Sequence, residues 1–327
     1  MSENRKQKRR ARKRGGIVLL LVLVAALVVV VYLLFSGTFS GGDGDGAPER
    51  DGGGSVRDAA AGDDDGGGDG DAYGGAEGGD DGITSLWYYD AANADRYKAY
   101  SVRMPHLPMD DIVWMVEANL DKEPYVDVEE VLSPYSVTLL ANKYFYFSES
   151  YVPPELVAVG NSMLRADAAD AMREMIDDAA AEGHNLWVQS GYRSFDLQNR
   201  LYTGYSAADG VEVADTYSAR PGYSEHQSGL SVDFNTITQA FGETPEGIWA
   251  AENAWKYGFI LRYTEENSHI TLYMSEPWHF RFIGREAAAE MHTLGFPPYE
   301  EYWVKNVKFV RNVTASAGGD GDRPAVG

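Results

Sequence analysis

"GYSEHQSGLSVDF", residues 222–234, decides how this chain is read. Leu230, Val232 and Phe234 alternate with Ser231, Asp233 and Asn235, the period-2 signature of a half-buried strand. One face is apolar, and the other carries a carboxylate in the middle of a sheet. His226 stands seven residues before that carboxylate, across a turn containing Gly229. A strand that turns an Asp inward needs a positive charge to meet it.

A second stretch, "SEPWHFRF" at residues 275–282, offers a partner. Pro277 disfavours helical backbone at Glu276, so Glu276 and His279 do not share a helix face. From His279 the alternation returns, with Phe280 and Phe282 on one side and His279 and Arg281 on the other. An inward Asp233, His226 beside it and His279 on another strand make a three-ligand set for Zn²⁺ with the fourth position open. Glu276 is then placed to act on water filling that position. Each residue also has a plainer reading: a hydrogen-bonded structural His, a turn-capping Asp, a solvated Glu. The conjunction of His-x6-Asp with Glu-x-x-His lifts the set above those readings. His106, His184, His269 and His292 have no comparable neighbours and are read as structural.

The 327-residue chain has room for one sizeable domain plus appendages. A basic cluster within residues 1–16 precedes an uncharged apolar run, Ile17 to Phe35. Those 19 residues would reach roughly 28 Å as a helix, close to the thickness of a hydrocarbon core. The expectation is a transmembrane anchor with a cytoplasmic N-terminus and the remainder exported. A cleaved signal peptide is the competing reading, but the run is long and ends in "LLFSGTFSGG" without an A-x-A-like site. Residues 36–82 are rich in Gly and Asp and read as a disordered linker. They show neither a fixed period nor a calcium loop ending in Glu. Residues 83–313 are expected to form the catalytic domain, and residues 314–327 a frayed tail. The net charge of −22, spread beyond the linker, makes nucleic acid an unsuitable partner. Zero cysteines exclude disulfides, thiolate catalysis and Cys-ligated metal.

Turn signals and periodicity predict mixed elements without regular βαβ alternation, hence α+β with a central antiparallel sheet and flanking helices. A helix is expected from the Pro153–Pro154 pair to Gly183, and a strand over "NLWVQSGYR". A helix capped by Ser194 follows, and later a helix around Trp249 to Tyr257 and a strand "GFILRY". The segment "HITLYMSEPWHFRFIG" reads as a hairpin, followed by a helix from Arg285 to Leu294. Upstream, residues 86–147 are expected to contribute a short helix and a strand, "SVTLLANKYF", to the same core.

The stretches "SGYRSFDLQNRLY", "ARPGYSEHQSGLSVDF", "NAWKYGFILRY" and "EPWHFRFIG" resemble the VanY-type D,D-carboxypeptidases and the related VanX-like zinc D,D-dipeptidases. They cover most of residues 186–284, and "LANKYFYFSESYVPPELV" extends the likeness upstream. The family pattern S-x-H-x-x-G-x-A-x-D falls on Ser224, His226, Gly229 and Asp233, with Ser231 where the family usually has Ala. The resemblance implies a Hedgehog/D,D-peptidase-like zinc peptidase fold with one Zn²⁺ per chain. His226, Asp233 and His279 would be its ligands and Glu276 the catalytic base. It further implies Arg193 and Gln198 as substrate or transition-state contacts, with Ser224 beside them. Peptidoglycan stem peptides ending in D-Ala would be the substrate, the alternatives being an L,D-carboxypeptidase or a wall-binding module without catalysis. Arg193 is the guanidinium of these motifs suited to clamp a terminal carboxylate.

Overall fold

The computed structural model describes residues 82–309. The expected basic segment, membrane anchor and C-terminal tail lie outside the described residues, as does the linker apart from Gly82. Among the described residues no helix is long and apolar enough to cross a membrane.

Two 3₁₀ turns, Ile83–Ser85 and Ala91–Asn93, lead into two helices, Ala94–Arg103 and Met109–Glu117. Two-residue strands β1 (Glu129–Glu130) and β2 (Phe145–Tyr146) follow and pair in parallel. The strand expected over residues 136–145 is thus almost absent. Asn142 explains this, because its Oδ1 accepts from the amides of Tyr144 and Phe145 at 2.9 and 3.2 Å and folds the backbone into a side-chain-closed turn. Ile112, Val113 and Val116 belong to one buried cluster with Leu139, Leu140 and the sheet residues, so this segment packs into the same core.

The long helix expected from Pro153 begins later. Residues 156–165 form a hairpin of β3 (Leu156–Val159) and β4 (Ser162–Arg165), and the helix runs Ala166–Ala181. Val159 pairs with Ser162 across a two-residue Gly160-Asn161 loop, and Gly160 has φ +59°. Such a Gly-Asn pair between apolar runs is a hairpin signal that outweighs helical spacing here. The helix does bury Ala168, Ala171, Met172, Met175 and Ala179, the stripe read from the sequence, but Leu164 falls on β4.

The site sits on a four-stranded sheet, β5 (Val188–Ser190), β6 (Ser231–Phe234), β7 (Phe259–Leu261) and β8 (His279–Phe282), ordered β5-β6-β8-β7. Every pairing is antiparallel, as the sequence predicted. Val232 faces Phe280, and Phe234 and Phe259 pack on Phe280 and Phe282 at centroid separations of 5.1 and 5.0 Å. The expected hairpin at residues 269–284 does not form. Its first half is a short helix, Ser268–Thr271, ended by Leu272 at φ +58°, and β8 pairs with β6 and β7 instead. The half-buried reading of β6 also changes, since all four of its residues are buried. Its polar face meets charged side chains, Arg193 near Asp233 and Glu225 near Ser231.

The remaining helices follow local rules. Ser194 Oγ accepts from the Leu197 amide at 3.2 Å and caps Phe195–Asp209. Thr244 caps Pro245–Asn253, with Pro245 in the first turn where its missing N–H costs nothing. A 3₁₀ turn, Ala254–Tyr257, leads into β7, and helices Arg285–Thr293 and Tyr299–Trp303 follow, the latter running into a π-helical turn, Val304–Lys308, that closes the described chain.

Candidate metal centre and active site

Register brings the site together. On β6 and β8, Asp233 is the direct cross-strand partner of His279, and Ser231 of Arg281, so all four share one face. Ahead of β6, Ser224 Oγ accepts from the His226 amide at 3.3 Å and starts a 3₁₀ turn, Glu225–Ser228. Gly229 at φ +70° ends that turn, where a side chain would be strained and would crowd the Arg165 amide at 3.2 Å. This reversal folds His226 back over Asp233. On β8 the approach is a β-turn closed by the His279 amide on the Glu276 carbonyl at 3.0 Å, with Pro277 at its second position.

The three expected ligands meet with candidate donor atoms within 4.8 Å of one another. His226 Nε2 lies 3.3 Å from Asp233 Oδ2, and His279 Nδ1 3.2 Å from Asp233 Oδ1. His226 Nδ1 is bonded at 2.7 Å to the carbonyl of Gly191, so that nitrogen carries the proton. Its Nε2 is therefore a lone pair aimed at a carboxylate, and it is buried without a hydrogen bond. Burial, with Arg193 nearby, pushes this imidazole down to about 4, neutral at neutral pH. A neutral nitrogen and an ionised carboxylate facing each other in a buried site are a donor pair that a cation would satisfy. Two nitrogens and one carboxylate oxygen fit Zn²⁺.

Burial alone would raise the Asp233 carboxyl, but His226, His279 and Arg193 hold it well below the usual range. Burial alone would lower His279, yet the bonds to Asp233 and Glu225 raise it to about 9. Glu276 is raised by burial, and further by Asp233 and Glu225, to about 7 against the pull of His279 and Arg193. Its Oε2 stands 3.9 Å from His279 Nδ1, on the cleft side of the cluster. A carboxyl poised near neutrality beside a cation site is suited to proton transfer.

The cleft holds about 310 Å³ and is lined by Arg193, Gln198, Ser224, Tyr263, Glu276 and Trp278 among others. Arg193 NH2 is 3.6 Å from Asp233 Oδ2, and its Nε is buried without a partner. Gln198 spends its amide N–H groups on the Ala219 carbonyl at 2.8 Å and on Ser218 Oγ at 3.4 Å, which leaves its buried Oε1 free. Ser224 lines the cleft and caps the His226 turn. Trp278 both walls the cleft and belongs to the buried core.

Sequence reading missed two groups here. Tyr263 packs on His279 with ring centroids 4.8 Å apart and planes tilted by 42°, and burial with nearby carboxylates holds its hydroxyl protonated well above the usual range. Glu225, adjacent to a ligand, contacts His279 Nε2 at 3.2 Å. Its position between Ser224 and His226 was visible, but a lone Glu in a polar turn reads as solvated.

Residues 161–285 match the profile of the VanY family, described as D-alanyl-D-alanine carboxypeptidase. Over 211 residues the chain is 35% identical to a putative carboxypeptidase of Bacillus subtilis (strain 168), YodJ, covering 58% of this chain and 77% of that protein. The chain belongs to the VanY carboxypeptidase family. It is 38% identical over 161 residues to a D-alanyl-D-alanine carboxypeptidase of Enterococcus faecium, covering 49% of this chain and 50% of that enzyme. Among solved structures, the LdcB LD-carboxypeptidase is similar with a TM-score of 0.52 and 35% identity, covering 55% of this chain and 91% of that one. Family and donor set agree, and the chain is a metallocarboxypeptidase.

Proposed function

We propose that this protein is a zinc D-alanyl-D-alanine carboxypeptidase that removes the terminal D-Ala from peptidoglycan stem peptides. One observation carries the reading: a neutral His226 Nε2, His279 Nδ1 and Asp233 converge beside a buried Glu276, in a cleft that also holds Arg193. His226, Asp233 and His279 would hold zinc, which when bound supplies Lewis-acid polarisation and acidifies water. Glu276 takes the proton of the attacking water as the C–O bond forms at the scissile carbonyl. It then delivers that proton to the nitrogen as the C–N bond breaks, so the amine leaves neutral. Arg193 meets the substrate's terminal carboxylate with charge-assisted hydrogen bonds and orients the bond over Glu276. Tyr263, held protonated, offers a further donor to the cleft. Gln198 and Ser224 line the same wall, and Gln198 Oε1 is free to accept from a peptide N–H.

The similarity to LdcB supports a second reading, an L,D-carboxypeptidase acting on tetrapeptide stems. A binding module without catalysis has no use for Glu276. Mass spectrometry of defined pentapeptide and tetrapeptide muropeptides incubated with the purified chain separates the three. Loss of one D-Ala from the pentapeptide is expected. Loss from the tetrapeptide alone selects the L,D activity, and no loss from either rejects catalysis on these stems. The apolar run Ile17 to Phe35 and the basic residues before it support a membrane-anchored enzyme with its catalytic domain outside. Protease added to intact protoplasts should then release an active fragment by cutting within residues 41–82, and protection would reverse the orientation.

A further inference from the structure

Behind His279 lies a group of charges sealed from water. The side chains of Glu225, Arg262, Arg281 and Glu300 are all 0% exposed. Two carboxylates and two guanidiniums balance one another, but burying four charges is costly compared with packing apolar residues of the same volume. Their geometry divides the labour. Glu225 Oε1 takes Arg262 Nε at 2.9 Å and Arg281 NH1 at 3.2 Å. Glu225 Oε2 is thereby turned toward His279 Nε2 at 3.2 Å, with Ser231 Oγ at 3.4 Å. Arg262 uses its other two nitrogens in a fork on Glu300, NH1 to Oε2 at 3.2 Å and NH2 to Oε1 at 2.6 Å. Glu300 belongs to the helix Tyr299–Trp303, beyond the residues 161–285 that carry the family match.

We propose that Glu300, through Arg262 and Glu225, is a positioning residue for the metal centre. Once a cation takes the place of the proton on Nδ1, the chain Glu300–Arg262–Glu225 keeps the remaining proton of His279 on Nε2 and leaves the Nδ1 lone pair toward Asp233. A neutral imidazole has one N–H, and the partner of one nitrogen decides what the other presents. Without an ionised acceptor at Nε2, the proton is free to sit on Nδ1, where Asp233 would bind it and the cation would lose a ligand. Arg262, with Arg281 beside it, sets the rotamer of Glu225, and Glu300 holds the plane of Arg262 in a bidentate fork. His226 is fixed in the opposite sense, with its proton on Nδ1 against the Gly191 carbonyl.

This inference rests on the assignment of the metal to His226, Asp233 and His279. The full-length chain in detergent, loaded with Zn²⁺ and labelled with ¹⁵N-histidine, gives a direct test by long-range ¹H–¹⁵N spectra. The expected pattern is His279 protonated on Nε2 and His226 protonated on Nδ1. A proton on His279 Nδ1 overturns the proposal without any variant. Competition with a chromophoric chelator then measures zinc affinity. Glu225→Gln should weaken it about 10–100-fold, the usual effect of losing such a partner. Glu300→Gln should weaken it by at least threefold, with kcat reduced and KM unchanged. The double variant should fall no further than Glu225→Gln alone, because the two act through one path. Zinc affinity within twofold of the parent in folded Glu300→Gln, or effects that multiply in the double variant, would reduce the network to a scaffold. Failure of the parent to bind zinc sinks the metal assignment itself, so the two failures are told apart.

Discussion

Arg193 gives the sharpest test of the direction of cutting. Its guanidinium is partly exposed in the cleft, its Nε is buried without a partner, and its NH2 stands 3.6 Å from Asp233, too far for a strong hydrogen bond. The fork therefore has donors to spare for a second carboxylate. A charge-assisted hydrogen bond contributes roughly 1.5–3 kcal/mol, and each 1.4 kcal/mol is about a factor of ten. Amidating the C-terminus of a pentapeptide ending in D-Ala-D-Ala removes the charge and keeps the bond and its stereochemistry. The parent should lose about ten- to a hundredfold in kcat/KM. In an Arg193→Ala background the same amidation should cost much less, since the partner is already gone. The assay is initial-rate release of D-Ala or its amide from both peptides with both proteins. Equal penalties in the two backgrounds would refute the clamp and place the carboxylate reader elsewhere. No penalty in either would make the protein an endopeptidase.

Glu276→Gln keeps the side chain's shape and should retain zinc, while turnover falls about 10²–10⁴-fold; unchanged hydrolysis removes Glu276 from the mechanism. The base works only when ionised, so kcat/KM should decline as pH falls through its pKa, which burial raises from 4.5 toward about 7 and a bound cation pulls back. An acid limb outside that interval, or one that persists unchanged in Glu276→Gln, assigns it to another group. Asp233→Ala and His279→Ala should each abolish the stoichiometric zinc that metal analysis finds in the parent, and full occupancy in both would end the ligand assignment. Gly229→Ala places a side chain at φ +70° against the Arg165 amide and should lower stability by on the order of 1–2 kcal/mol, read as a drop in the midpoint of urea unfolding; an unchanged midpoint contradicts the strain argument.

The expected helix from Pro153 and the hairpin at residues 269–284 failed for a shared reason. Apolar spacing over a short run fits helix and strand alike: Gly160 with Asn161 turned one run into a hairpin, and the other took a helical turn, Ser268–Thr271, that ends at Leu272 in the left-handed region. The segment 136–145 failed because Asn142 captured backbone amides that a strand would have needed.

By itself the sequence determined the alternation of β6 and β8, the antiparallel sheet, and which two His, one Asp and one Glu come together. The motifs are written locally, as a period of two, a turn glycine and a proline before a strand, while the register of β6 on β8 makes Asp233 meet His279 across 46 positions. Only the tertiary structure decided which nitrogen of each His faces the carboxylate, because that depends on the Gly191 carbonyl for one and Glu225 for the other. It also decided that Glu225, Arg262, Arg281 and Glu300 are core residues. In a chain of net charge −22 each of them reads as one more solvated charge. Their pairing across 37, 38 and 56 positions of sequence leaves no periodic trace, since an ion pair is made by the register of strands and the seating of a helix rather than by neighbours along the chain.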